Sequence, residues 1–213
     1  MSSQGETSPC SDLREACVRE ALAIITSAGV EKLSLREVAR RLGVSHQSPY
    51  RHFESRDHVL AEIVRRAFVD FAAALRGAPI TDNPGADALQ MGFTYVRFAL
   101  TQPLQYRLMF GGSLPDPMVH SEMMRGARDA FNVLRDALRR VAAARGRMAD
   151  PKVLDQEALF AWSSLHGAVS LLASDAMGTL DLDPGEQDAF IGHALKRIGT
   201  ALGITPPHTH ESS

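Results

Sequence analysis

Two cysteines, one tryptophan and an aromatic share of 6% in 213 residues exclude several classes of protein at the outset. Cys10 and Cys17 stand close together near the start and frame neither a disulfide scaffold nor a Cys-x-x-Cys redox or zinc pair. No apolar run approaches the ~20 residues that cross a bilayer, and no signal peptide precedes the first helical pattern. The expectation is a cytoplasmic chain that does not enter a membrane. An excess of one charge sign is missing too. Lys and Arg number 23 against 25 Asp and Glu, a net −2, so global basicity does not announce a polyanion. No Gly-rich phosphate loop or His-Glu-x-x-His occurs, and no stretch alternates with period two. Ser163, Ser164, His166 and Asp175 invite a catalytic triad, but all fall on one helical stretch. Asp175 lies nine residues beyond His166, roughly 13 Å along the axis at 1.5 Å per residue. We expect no catalytic residue, no cofactor and no metal; His208, His210 and Glu211 are too few, on a polar tail, to hold an ion well.

What is present is helix, in a chain with 45% hydrophobic residues, ample for a core. Residues 1–10 lack periodicity and read as a disordered lead. A first helix from Ser11 carries Leu13, Ala16, Cys17, Ala21 and Ile24 on one side and ends at Gly29. Residues 34–53 then show two short helices around a tight turn. Ser34 caps the first, and Glu37 three residues on completes a capping box. Leu35, Val38, Ala39 and Leu42 fall at i, i+3, i+4 and i+7. Gly43 ends the helix by taking positive φ, and Ser45 starts the next. This is a helix-turn-helix.

The second of these helices begins with His46, Gln47 and Ser48, short polar side chains turned away from the packing residues Tyr50 and Phe53. A recognition helix presents its first turn to base edges, and Gln suits a bidentate contact with adenine. Pro49 is tolerable there because first-turn amides lack intrahelical partners. Between residues 32 and 56, six cationic side chains face two carboxylates, a local excess of +4 suited to phosphate. The expected contacts are His46, Gln47 and Ser48 at bases, with Ser34, Arg36, Ser45, Tyr50, Arg51, His52 and Arg56 at phosphates of a double-stranded operator.

These residues carry a family resemblance. Leu35-Arg36-Glu37-Val38-Ala39, Gly43-Val44-Ser45 and Tyr50-Arg51-His52-Phe53, followed by Arg56, resemble the amino-terminal domain of TetR-type transcriptional regulators. Lysine is the commoner residue at the place of Arg56. Tyr95-Val96-Arg97-Phe98-Ala99, Pro103, Tyr106-Arg107-Leu108-Met109-Phe110 and Trp162-Ser163-Ser164-Leu165-His166-Gly167 are similar to the subgroup with a Trp-x-x-x-His-Gly carboxy-terminal domain. The resemblance spans roughly residues 11–202. It implies an all-α fold: a three-helix DNA-binding domain (11–71) joined to a helical effector-binding and dimerisation domain (77–202). Residues 203–213, by their own composition, read as a disordered tail.

The rest of the chain fits helices at about 57–76, 86–101, 103–110, 118–145, 151–177 and 184–202. The last two are apolar over a band wider than one partner needs. This predicts an isologous homodimer through Leu165, Leu172, Ile198 and Leu202, meeting a near-palindromic operator. Aromatic and methionine side chains concentrate between residues 91 and 162. A small-molecule effector site lined by Phe98, Met123, Phe131 and Trp162 and oriented by Tyr95 and His166 is expected there. Two functional classes stay open: a repressor released by an apolar or amphipathic ligand, and a DNA-binding regulator whose second half only dimerises or holds a protein partner.

Overall fold

The computed structural model describes residues 9–112, 114–148, 150–174, 177–179 and 184–204, and every described regular element is helical. The helices are α1 (Pro9–Ala28), α2 (Leu35–Leu42), α3 (Arg56–Arg76), α4 (Pro84–Thr101), α5 (Pro103–Phe110), α6 (Ser121–Ala144), α7 (Pro151–Leu172) and α8 (Pro184–Ala201). Single 3₁₀ turns lie at Val30–Lys32, Pro49–Arg51 and Met177–Thr179. Helix α1 starts two residues before the expected Ser11, and α6 starts at Ser121 rather than 118. Asp116 and Pro117 hold the preceding residues in a turn whose carbonyl, on Asp116, accepts the amides of Val119 and His120. Most of the expected lead and tail, with His208, His210 and Glu211, lies outside the described residues, as does Asp175. The tail expectation does not hold at its first two positions. Gly203 takes φ +69 and Ile204 turns inward, 3% exposed, its amide on the Gly199 carbonyl.

The chain forms two compact units. The first holds residues up to Phe68 together with 107–126. Its core is the inner side of α1 (Cys17, Ala21, Ile24, Ile25) against Leu35, Val38 and Ala39 of α2 and Val59, Leu60, Ile63 and Val64 of α3. Each large aliphatic so buried contributes roughly 1.5–3 kcal/mol. Ion pairs bind α1 to α3 above that core. Glu62, 9% exposed, accepts from Arg65 and Arg66 at 2.8 Å each, while Arg66 also clasps Glu15 at 2.6 Å and Arg14 reaches Glu62 at 3.4 Å. Burial alone would raise the Glu62 carboxyl, but those arginines hold it down to about 2. Residues 107–126 join this unit through Phe110, edge-on to Phe68 at 5.8 Å, and His120, edge-on to His58 at 4.7 Å. This return is absent from the linear boundary expected between residues 71 and 77.

The second unit comprises residues 69–106 and those from Ala127 onward. The Pro- and Gly-containing stretch between α3 and α4 is a fixed turn. Asp87, 6% exposed, accepts the Thr81 amide at 2.9 Å, its hydroxyl at 2.7 Å and Arg140 at 2.9 Å. Asn83 caps α4 by accepting the Ala86 amide. At Gly92 the helices α4 and α8 approach so closely that a Cβ would run into Leu195. Leu138, Leu154 and Ala158 form a packed core, with Phe131, Leu134 and Leu202 laid against it. No described helix is long and apolar enough to cross a membrane.

Candidate functional site

Helix α2 is fixed at both ends. Ser34 is extended at φ −149, and its Oγ accepts the Glu37 amide at 3.1 Å. Gly43 takes the left-handed φ of +66, and Val44 donates back to the Ala39 carbonyl at 3.1 Å. The chain re-emerges at Ser45, whose Oγ accepts the Gln47 amide at 3.3 Å. The α-helix expected over Ser45–Phe53 is instead a turn at 46–48 followed by one 3₁₀ turn. Pro49 is the cause. It has no amide for the Ser45 carbonyl, which takes the Ser48 amide at 2.9 Å. Pro49 is buried, and Phe53, 4% exposed, donates its amide to the Pro49 carbonyl at 3.0 Å. The Arg14 guanidinium lies over the Phe53 ring, 5.2 Å from its centre. The segment is rooted at Pro49 and Phe53, while His46 and Gln47 stand exposed with Gln47 Nε2 3.2 Å from His46 Nε2. Ser45, Tyr50 and Arg51 are exposed beside them, and Ser48 and His52 half-buried.

The charges around this turn are not equally available. Glu37 accepts from Arg40 at 2.6 and 2.8 Å and from Arg41 at 3.0 Å, and these bonds hold its carboxyl at about 2. Arg41 also reaches Glu20. Arg56, expected at a phosphate, donates inward: Nη2 to the Val30 carbonyl at 2.9 Å and Nε to Leu33 at 3.2 Å, with Nη1 on Asp57. Arg36 and Arg51 are exposed and make no side-chain ion pair among the described residues. Internal pairing therefore narrows the cationic surface below what the charge count gives.

A second polar cluster lies inside the other unit. Tyr95 of α4 is 6% exposed and Tyr106 of α5 7%. Their hydroxyls are 2.7 Å apart, and Tyr106 Oη lies 2.6 Å from His166 Nδ1 of α7. His166 Nε2 faces Ser170 Oγ at 3.4 Å, and Tyr95 Oη lies 3.5 Å from His166 Nδ1. Burial raises both phenols, Tyr106 to about 12, and lowers the imidazole, so all three are neutral near pH 7. Phe71 packs on Tyr95 at 5.3 Å and on Phe98 at 5.1 Å, and Phe131 meets Trp162 at 6.2 Å. The structure thus brings Tyr95, Phe98 and His166 together, with Phe131 beside Trp162, whereas Met123 is buried in the first unit. Sequence reasoning missed Tyr106 as a polar member. The one available sign was that two of only three tyrosines fall in this aromatic stretch.

The residues expected at a dimer interface are inner ones. Leu165 and Ile198 are 6% and 9% exposed within the single chain, Leu202 packs on the Leu138–Leu154–Ala158 core, and Leu172 is half-buried. Spacing defines the apolar sides of α7 but not which of them the rest of the chain covers. The uncovered side of α7 carries Val153, Leu159, Phe160 and Leu171, each 43–50% exposed, with Ser163, Gly167 and Ser170 between them.

Comparison with known proteins agrees with this geometry. Residues 18–63 match the family model of bacterial regulatory proteins, tetR family, and residues 88–197 match that of the tetracyclin repressor-like C-terminal domain. Among characterised sequences, the chain is 28% identical over 138 residues to the HTH-type transcriptional regulator TcmR of Streptomyces glaucescens, covering 64% of this chain and 57% of that one. It is 30% identical over 90 residues to the HTH-type transcriptional regulator Rv1816 of Mycobacterium tuberculosis, covering 41% of this chain and only 38% of that relative's length. A solved structure of a protein of unknown function from Rhodococcus sp. RHA1 superposes with a TM-score of 0.73 at 25% identity, over 94% of this chain and 98% of the other.

Proposed function

Since the chain belongs to the tetR family of bacterial regulatory proteins, we propose that it is a homodimeric repressor released from its operator by a small apolar or amphipathic molecule. The observation that carries the DNA-binding half is the rooted turn. His46 and Gln47 are exposed on a segment whose own shape is fixed by buried Pro49 and Phe53. Base reading falls to His46, Gln47 and Ser48; Ser34, Ser45, Tyr50, His52, Arg36 and Arg51 hold phosphates. The match to a repressor-like carboxy-terminal domain supports repression over activation. Such a regulator works where the chromosome is, in the cytoplasm.

The second copy meets the uncovered side of α7. Its apolar residues flank small ones at Ser163, Gly167 and Ser170, which suits a self-complementary two-fold contact. Two reading turns on one axis then require half-sites about 10 bp apart centre to centre, or a multiple of that. The effector binds at the Tyr95–Tyr106–His166 cluster, and α3, which runs from the first unit into the second, passes the displacement on. A hundredfold loss of DNA affinity requires about 2.7 kcal/mol of coupling, within the usual range.

A footprint on the DNA upstream of the protein's own gene tests the reading. The expected result is a two-fold symmetric protected site that a bound effector abolishes. Protection without symmetry, or equal protection of random DNA, would remove the operator claim.

A further inference from the structure

Helix α2 carries three arginines, and they do not share one fate. At about 100° per residue, Arg40 lies about 40° round the helix from Arg36, Glu37 about 100° and Arg41 about 140°. Arg36 is exposed and makes no ion pair among the described residues. Arg40 is its neighbour on the same side, one turn further on, with a side chain 70% exposed. Its guanidinium is nevertheless turned back on the helix. Nη2 donates to Glu37 Oε1 at 2.6 Å and Nε to Oε2 at 2.8 Å, a two-pronged clasp that uses both carboxylate oxygens. Arg41, on the far side of Glu37, donates to Oε1 at 3.0 Å and also reaches Glu20 of α1 at 3.3 Å.

A lone ion pair on a surface is worth little, but a bidentate clasp with a second arginine behind it persists. Glu37 is braced by Arg41, and Arg41 by α1, so the carboxylate is fixed where Arg40 meets it. Its bonds to both arginines keep it ionised near neutrality. A phosphate that claimed Arg40 would have to break both prongs. It would then face the bared carboxylate, a like charge, within the same helical turn. Resting on the operator reading above, we infer that Arg40 is a phosphate-binding arginine held out of use, and that Glu37 is the residue that withholds it. Glu37 thereby limits how tightly the protein clings to any duplex, since affinity for DNA without an operator comes almost wholly from charge. Phosphate contacts carry no sequence information, so the restraint falls on operator and random DNA alike.

Salt titrations of the full-length protein test this on two probes, a random-sequence duplex and a duplex from the DNA upstream of its own gene. Glu37→Gln should bind both roughly 3- to 10-fold more tightly near 0.1 M salt, with a slope steeper by about 0.9, the value of one phosphate contact. Adding Arg40→Gln should return affinity and slope to those of the wild type, because the pair it removes contributes nothing to either. Adding Arg41→Gln instead gives the same net charge but should keep the steeper slope, since Arg41 is turned towards Glu20. That comparison separates the place of Arg40 from a mere change of total charge.

Glutamine at position 37 keeps the amide that Ser34 accepts, and circular dichroism checks that each variant has the native helix content. If the Arg41 variant does not fold, the comparison of wild type, Glu37→Gln and Glu37→Gln with Arg40→Gln carries the test. A double variant at 37 and 40 whose slope is shallower than the wild type's would mean that Arg40 already holds a phosphate. An unchanged slope in Glu37→Gln would mean that nothing was withheld. Equal loss of the gain on adding Arg40→Gln or Arg41→Gln would reduce the effect to net charge. Each of these would overturn the inference and leave the operator reading standing. A wild-type protein that binds neither duplex at low salt would sink the two together.

Discussion

Arg56 Nη2 donates to the carbonyl oxygen of Val30 at 2.9 Å, tying the first turn of α3 to the loop that follows α1. With Nε on Leu33, the side chain spans the backbone just before the helix-turn-helix and sets where α2 begins relative to α3. A charge that sequence position assigns to phosphate is thereby spent on architecture.

Arg56→Ala should for that reason cost stability before it costs salt dependence. The expected loss is about 2 kcal/mol of unfolding free energy, for two charge-assisted bonds that are partly exposed. Arg56→Lys recovers part of it. Urea unfolding beside a salt titration of operator binding checks this: a variant of unchanged stability but shallower salt slope would return Arg56 to the phosphate contacts.

Gln47→Ala should relax base preference at one operator position, at a cost of about 1–3 kcal/mol there. Arg51→Ala should instead weaken operator and random DNA alike and reduce the salt slope by about one ion. Binding measured against a set of single-base operator variants separates the two. Equal losses on every sequence for Gln47→Ala would mean that it holds the backbone rather than a base.

Phe160→Glu and Leu165→Glu, five residues apart on one helix, should fail differently. Phe160 is 43% exposed on the side proposed to meet the second copy, so its charge should give a folded monomer. Leu165 is 6% exposed inside the chain, and its charge should unfold the unit. Light scattering with circular dichroism reads both; a folded dimer of Phe160→Glu would take this side out of the interface.

Most helices, the ends of α2 and the reading turn's position were legible because each rests on local chemistry: Ser34 and Glu37, Gly43, Pro103, Pro151. What could not be read were facts about which surfaces meet. Leu165 and Phe160 are both apolar members of α7, and nothing in their spacing says which of them the chain itself covers. The return of residues 107–126 to the first unit depends on Phe110 finding Phe68 and His120 finding His58, pairs far apart in sequence. The segment after Ser45 departs from the expected helix for a local reason. Pro49 suits a first helical turn by its φ, but its missing amide removes the bond that would make that turn α-helical.

Acid should loosen the first unit through Glu62. Its carboxyl is held at about 2, against about 4.3 for a free glutamate, so the folded state is favoured above pH 4.3. That contribution is lost as pH falls towards 2. Glu62→Gln should lower stability near neutrality by roughly 2 kcal/mol, less than a fully dry pair because Arg14, Arg65 and Arg66 are partly exposed. It should also flatten the decline between pH 4.3 and 2. Thermal unfolding across that range decides it, and a variant with the wild-type slope would move the acid sensitivity to another group.

The missing amide of Pro49 has an evolutionary side. A recognition segment built as an α-helix owes its shape to the helix propensity of every residue in it, so changing a base-reading side chain also changes how well the segment forms. Here the shape is owed to Pro49 and Phe53 beneath and to Ser45 at the entrance, and His46 and Gln47 hang from it as exposed turn residues. Substitutions at those two positions leave the scaffold's own bonds untouched. A lineage carrying this turn is free to drift towards new operator sequences one base at a time without passing through misfolded intermediates, and a duplicated gene could acquire a separate target by changes at two codons.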